Sequence, residues 1–350
     1  MTAFTAGALA QDTPSSVGLY RAQQDVFRAA INTINPSIVR IQTIGGALPV
    51  RRSQDGKRAG VLFRQADGPT TGVIWSADGY IITSSFNFLR DPRVITVTLH
   101  DGRTLLARLI ARDRPARLAL LKVEADHPLP VPRIAESDKL RPGQWALAAG
   151  HGFGSRNPAM SVGIISALNR KGGLAVQTDA KVSPANYGGP LFDIEGALIG
   201  VCVPMGQGED ETAGIEWYDS GISFAVHTNR IRAQFERLKR GEDVQRGLMG
   251  VILDNSDSDP RGVPIMAPPV GPAAAAGLQE GDLITTIDGQ PTPTYALLKR
   301  ALSQKAAGDA ALIGFLREGR QEETGLTLVR REELNPPAAT QPASAPAGQP

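Results

Sequence analysis

From Ser37 to about Val226 the chain is written in short apolar or alternating runs: SIVRIQTI, GVIWS, GYIITSS, VITVTLHD, TLLARLIARD, LALLKV, WALAAG, SVGIISAL, LAVQTD, ALIGVCVP and GISFAVH. Gly, Asp, Asn and Pro punctuate them. Side chains alternate across a strand with a period of two, so such runs predict many short antiparallel strands, arranged as a barrel or a sandwich. Two helical stretches flank this region. Tyr20 to Ile34 puts Phe27, Ile31 and Ile34 at helical spacing and stops before Pro36. His227 to Arg240 aligns Ile231, Phe235 and Leu238, with Thr228 or Asn229 as caps and Gly241 as the stop.

After GEDVQR the pattern starts again, with strands expected at GLMGVIL, GVPIMA, DLITTIDGQ, AALIGFLREG and TGLTLVRR and a helix at Thr294 to Gln304. Beyond Glu333, NPPAATQPASAPAGQP has almost no apolar bulk to set against the entropy of ordering, which predicts disorder. The expected division is a flexible N-terminus or signal remnant at 1–24, a first folded unit at 25–240, a second at 241–333 and a Pro/Ala-rich tail at 334–350.

Composition narrows the function classes. At 350 residues the chain is long enough for two or three cores. A net charge of +2 gives no electrostatic case for nucleic acid or a membrane surface. The basic stretches Arg51 to Arg58 and Arg108 to Arg117 are broken by acids and turn residues and read as solvated loops and strand edges. Cys202 is the only cysteine, so no internal disulfide forms; its apolar run reads as buried strand. The four histidines are scattered without metal spacing, and no cofactor is implied. No apolar run approaches the roughly 18 residues of a membrane helix. Ala8-Leu9-Ala10 before Gln11 has the form of a cleavage site and reads as a signal remnant.

Three segments carry the chemistry. TDAKVSPANYGGP (Thr178 to Pro190), GYIITSSFNF (Gly79 to Phe88) and RLALLKV (Arg117 to Val123) resemble the nucleophile, base and aspartate segments of trypsin-like serine proteases, which read TDA…GNSGGP, GYILTNNHVV and DLAVLKV. With SVGIISALNR, NYGGPLFDIEGALIGVCV, GISFAVHTNRI and GPAAAAGLQEGDLITTIDGQ in this order, residues 25–331 resemble the HtrA (Deg) family. The resemblance implies an all-β-dominated chain: a trypsin-like double β-barrel followed by one β-rich α+β PDZ domain.

In an active member of that family a serine attacks, a histidine takes its proton and an aspartate orients the imidazole. Here Tyr187, Phe86 and Arg117 stand at those three positions. The phenol of Tyr187 lies several ångströms beyond a serine oxygen, Phe86 accepts no proton and Arg117 is a permanent cation. The sequence therefore predicts a protein that is not an enzyme, a pseudoprotease. Its oxyanion loop survives as Ala185, Asn186, Gly188 and Gly189, with Ala185 in place of the family's usual glycine. If the fold is right the three replacements converge, either as a plug with Arg117 against the rings or with Arg117 in solvent. The alternative reading is an active serine endopeptidase with a relocated site, for which Ser84, Ser85, Ser183, His151 and His227 are polar residues within reach of the cleft segments. The GxGxG of Gly150 to Gly154 lacks the onward helix of a phosphate loop.

The resemblance also assigns a peptide site to the second unit. Leu248, Met249, Gly250 and Val251 match the carboxylate-binding loop of a PDZ domain, and the strand to Leu253 pairs with the ligand. Tyr295, Leu298 and Leu302 face it from the helix, or serve as core. The implied partners are C-terminal peptides or unfolded proteins, an active HtrA-like homologue, and other copies of the chain in a homo-oligomer such as a trimer assembled around Val26-Phe27. No nucleic acid and no integral membrane segment are implied. The implied role is chaperone, adaptor or regulator in protein quality control, in the periplasm or otherwise outside the cytoplasm; a purely structural protein with a closed groove is the remaining reading.

Overall fold

A computed structural model describes residues 16–44, 70–88, 91–151, 157–206 and 220–334. The cleavage-site motif, the basic stretch Arg51 to Arg58, most of the GxGxG loop and the Pro/Ala-rich tail lie outside the described residues.

The β-rich region resolves into two closed six-stranded antiparallel barrels. The first is formed by β1 (Ile38–Ile44), β2 (Thr70–Ile74), β3 (Tyr80–Ser84), β4 (Val94–Thr98), β5 (Thr104–Asp113) and β6 (Leu118–Val123), joined in the order β1-β2-β3-β6-β5-β4. The second uses β7 (Trp145–Gly150), β8 (Ala159–Asn169), β9 (Ala175–Thr178), β10 (Pro190–Phe192), β11 (Leu198–Val203) and β12 (Ser223–His227), in the order β10-β11-β12-β9-β8-β7. Closure leaves no sheet edge, which lets short strands pair on both sides. Val39, Ile41, Ile74, Ile81, Val97 and Leu121 fill the first barrel, and Ala146, Ala148, Ile165, Val176, Leu191 and Cys202 the second. The opposite faces of the same strands, among them Val73, Ile82, Leu118, Leu120, Leu147, Phe192 and Val226, share one interior with helix residues Ile34, Ile231 and Leu238.

The helix before the first barrel runs Ser16–Ile34, longer than its apolar spacing predicts. Phe27 does not wait for a partner subunit: its ring meets Trp145 edge-on at 5.4 Å, while Val26 is exposed. The helix Thr228–Lys239 is capped by His227, whose Nδ1 accepts the Asn229 N–H at 3.0 Å, rather than by Thr228 or Asn229.

The second unit is a five-stranded sheet of β13 (Val263–Pro264), β14 (Leu283–Ile287), β15 (Gln290–Pro291), β16 (Ala310–Arg317) and β17 (Arg320–Thr327), with the helices Gly271–Ala275 and Tyr295–Ser303. GLMGVIL forms single bridges rather than a full strand: Leu248 pairs with Val329 and Leu253 with Ile265. Thr294 caps the second helix by accepting the Leu297 N–H.

A buried ion pair ties the units together. Arg230 donates from Nε to Asp113 Oδ2 at 2.8 Å and from Nη2 to Asp113 Oδ1 at 3.2 Å, with both residues almost fully buried. The same guanidinium donates to the Gln304 carbonyl at 3.0 Å, just past the helix Tyr295–Ser303. Arg237 pairs with Asp309 at 2.6 Å, and the Gly172 carbonyl accepts from Ser303 Oγ and Gln304 Nε2. Gly172 belongs to a tight turn in which Asn169, Lys171, Gly172 and Gly173 all have positive φ.

Candidate functional site

The cleft between the barrels is lined by the turn that follows Val182. Its amides close on the turn itself: Asn186 and Tyr187 donate to the Ser183 carbonyl at 2.9 and 3.2 Å, and Gly189 donates to Asn186 at 2.8 Å. The expectation that Ala185-Asn186-Tyr187 aims its amides outward at an oxyanion is not met at Asn186 and Tyr187. Ala185 is not among the non-glycine residues of positive φ, so its side chain brings no left-handed strain. The strict requirement falls on Gly188, at φ +84, where a Cβ would lie 2.1 Å from the Thr71 carbonyl. The first barrel holds the turn from the other side. Thr70 Oγ1 donates to the Tyr187 carbonyl at 2.8 Å and Thr71 Oγ1 to the Ala185 carbonyl at 2.9 Å, while the His151 N–H donates to Thr71 Oγ1 at 2.8 Å.

Phe86 and Tyr187 meet across this cleft. Their ring centroids are 5.2 Å apart and edge-on, and both side chains are buried among the core residues of the second barrel. Phe86 thus leaves the first barrel to fill the second. An edge-to-face pair contributes about 0.5–1.5 kcal/mol beyond the area it buries. Arg117 reaches the same region through its backbone: its carbonyl accepts the Ser85 N–H at 2.8 Å, and its φ is +56. Ser84 Oγ accepts the Phe86 N–H at 3.2 Å, so this hydroxyl stabilises the short 3-10 turn Ser85–Phe88. Ser183 Oγ lies 3.3 Å from Asn186 Oδ1 and donates to it.

Burial governs titration nearby. The Cys202 thiol is pushed up to about 12 by burial in the second barrel, so it stays protonated and unreactive. His227 is held below its ordinary value, first by burial and then by the Arg232 charge. Among the described residues no group of His, Cys, Asp and Glu is placed to hold a metal.

The second unit carries an open groove of about 510 Å³. One side is Leu248 to Leu253 and the other the helix Tyr295–Ser303, through Tyr295, Leu298, Lys299, Leu302 and Ser303. Met249 and Leu298 are buried and give the groove an apolar floor; Tyr295 and Leu302 are half-buried against the same core. The Met266 N–H donates to the Ile252 carbonyl and the Asp254 N–H to the Pro264 carbonyl, at 2.8 and 3.0 Å. Backbone groups alternate sides along an extended segment, so those of Val251 and Leu253 face the helix across the groove. Leu248 differs from expectation: its N–H is committed to the Val329 carbonyl at 2.9 Å and does not serve a ligand carboxylate.

Comparison with known proteins agrees with this architecture. Residues 70–201 match the trypsin-like peptidase domain and residues 221–328 the PDZ domain. A probable periplasmic serine endoprotease DegP-like of Pseudomonas fluorescens is 33% identical over 296 residues, covering 80% of this chain and 59% of the relative. The periplasmic pH-dependent serine endoprotease DegQ of Escherichia coli is 34% identical over 283 residues, covering 75% and 59%. The solved structure of the HtrA-type protease AlgW with a decapeptide superposes with a TM-score of 0.66 at 27% identity, over 87% of this chain and 98% of that one. This chain spans about three fifths of the length of the curated relatives it matches. These findings overturn the expectation drawn from Phe86, Arg117 and Tyr187 that the chain is not an enzyme, because its relatives are serine endoproteases. Like those relatives it is extracytoplasmic, and no helix among its described residues is long and apolar enough to cross a membrane. With two barrels, a PDZ sheet and these relatives, the chain belongs to the HtrA family of trypsin-like peptidases with PDZ domains.

Proposed function

We propose that this chain captures the C-terminal ends of peptides and unfolded proteins in the groove between Val251–Leu253 and the helix Tyr295–Ser303. It thereby serves protein quality control outside the cytoplasm as chaperone, adaptor or partner of a homologue, with the working division at residues 25–240 and 241–333. The observation that carries this reading is the apolar-floored groove beside an unshared backbone edge. Such an edge takes an extended peptide by strand addition, and the alternating pockets select its side chains. Fluorescence anisotropy on the full chain tests it with one peptide made as free acid and as C-terminal amide. Tighter binding of the acid supports the reading, whereas equal binding or none overturns it. Self-association belongs to the same proposal, through the exposed Val17, Leu19 and Tyr20 of the first helix, and light scattering checks it.

The relatives favour a second reading, serine endopeptidase activity. The Tyr187 phenol is not a serine hydroxyl, so under this reading the nucleophile is another group, and Ser183 is the serine of the same turn. Digestion of quenched casein by the purified chain is the assay. Cleavage abolished by Ser183→Ala supports Ser183 as nucleophile; cleavage untouched by that substitution removes it from the role; no cleavage overturns the reading.

A further inference from the structure

We infer that the groove selects acidic peptides that end in an aliphatic residue of about leucine size; this rests on the peptide-binding reading above. Four charged side chains line the groove, Lys171, Arg246, Lys299 and Arg331, and all are cations. No carboxylate is among the lining residues. The cations approach from three parts of the molecule: the turn of the second barrel, the segment entering the carboxylate loop, and the helical walls. They do not act alike. The Lys171 ammonium donates to the Gly206 carbonyl and lies 5.2 Å from the Phe224 ring centroid, on the barrel side, so it supplies field rather than contact. The Lys299 ammonium lies 5.3 Å from the Tyr295 ring centroid, where the stacked stem holds the charge along the wall. Charges within a Debye length of about 8–10 Å are incompletely screened, and cations around a low-dielectric floor raise the local concentration of anionic ligands.

The aliphatic preference comes from the loop end of the groove. Leu334 is seated there: its Cδ2 is a near neighbour of both Gly250 and Gly271, 3.0 Å from where a Cβ on Gly250 would stand. Gly250 has φ +90, and a Cβ on it would also lie 2.1 Å from the Val270 carbonyl, so this end stays bare of side chain and open to an aliphatic group. The chain's own sequence at this end is Glu332-Glu333-Leu334, an acidic pair followed by the seated leucine. A peptide of the same pattern meets apolar surface at its last residue and cations upstream.

The test uses three fluorescein-labelled peptides with free carboxylates, ending Glu-Glu-Ala-Val-Leu, Gln-Gln-Ala-Val-Leu and Lys-Lys-Ala-Val-Leu, titrated with the full chain. Rim charges each contribute modestly, so the acidic peptide is expected to bind roughly fivefold tighter than the glutamine one at low salt, with the lysine peptide weakest. The order should collapse at ~0.5 M salt. The double variant Arg246→Glu, Lys299→Glu should reverse the order, and because the peptide series is run on the unaltered protein as well, a misfolded variant leaves the test standing. Equal binding of all three peptides at low salt overturns the charge selection while the peptide groove stands. Absence of binding by any of them overturns both.

Discussion

The turn Ser183–Gly189 and the groove beside Gly250 use similar materials to opposite ends. Both depend on a glycine of positive φ packed against a carbonyl, Gly188 against Thr71 and Gly250 against Val270. In the turn, the Asn186 and Tyr187 amides are consumed by the Ser183 carbonyl and two aromatic rings occupy the space in front. In the groove, pairing with residues 264–266 uses one side of the backbone and leaves the other facing a cavity. The difference lies in where bulk was added: Phe86 and Tyr187 turn one peptide-facing surface into core, while glycines keep the other open. A glycine turn therefore identifies a close approach of backbone, and the residues around it decide whether the result is interior or site.

The largest effect should come from the ion pair that holds the two regions in one frame. Arg230→Ala leaves Asp113 buried without its partner, which costs about 3–5 kcal/mol. Urea unfolding should show a lower midpoint, and an unchanged midpoint would mean that the pair is not needed to join the units. Next, Tyr187→Ala removes a ring from the second barrel's core at a cost of about 3–5 kcal/mol, as does Phe86→Ala. The double variant should cost less than the sum by about 0.5–1.5 kcal/mol, the edge-to-face coupling. Strict additivity would show that the two rings only fill volume.

On the groove side, Gly250→Ala forces a Cβ into a left-handed backbone against the Val270 carbonyl, at a cost of about 1–3 kcal/mol. Peptide affinity should drop more than thermal stability does, since the loop shapes the binding end. The smallest effect belongs to His227. Its pKa is lower folded than unfolded, so the unfolded chain takes up the proton first as pH falls. Stability should be intact above the ordinary histidine value and decline as pH drops from there through the folded one, because the protonated imidazole can no longer accept the Asn229 N–H. His227→Asn, which keeps a cap without titrating in this range, should flatten that part of the pH profile of thermal unfolding.

How much of this is readable in the sequence follows from how local each cause is. The barrel strands are readable because alternation and turn residues act over a few positions, and the segments around Phe86, Arg117 and Tyr187 are readable because they keep the family's frame. The cap at His227 escapes a sequence reading because Thr228 and Asn229 are better caps by residue type, yet β12 ends in extended backbone at His227 and presents its imidazole to the helix. The Asp113–Arg230 pair is invisible because the chain separates its members by a whole barrel, and only closure brings β5 against the helix Thr228–Lys239. Leu334 falls at the start of the expected tail because its neighbours downstream are Pro and Ala, while its seat beside Gly250 is made by residues far upstream. The expectation of lost enzymatic activity fails for another reason: three side chains describe one cleft, whereas activity belongs to the whole chain, and the chain's relatives are endoproteases.

The burial of Cys202 makes the native protein a blank canvas for site-specific chemistry. With its thiol protonated and enclosed among β7, β9 and β11, maleimide dyes and spin labels have nothing to attack. A cysteine introduced on the rim of the groove, at Leu297 for instance, would be the single reactive handle on a folded chain, so the approach of a peptide can be followed optically without first removing a native residue.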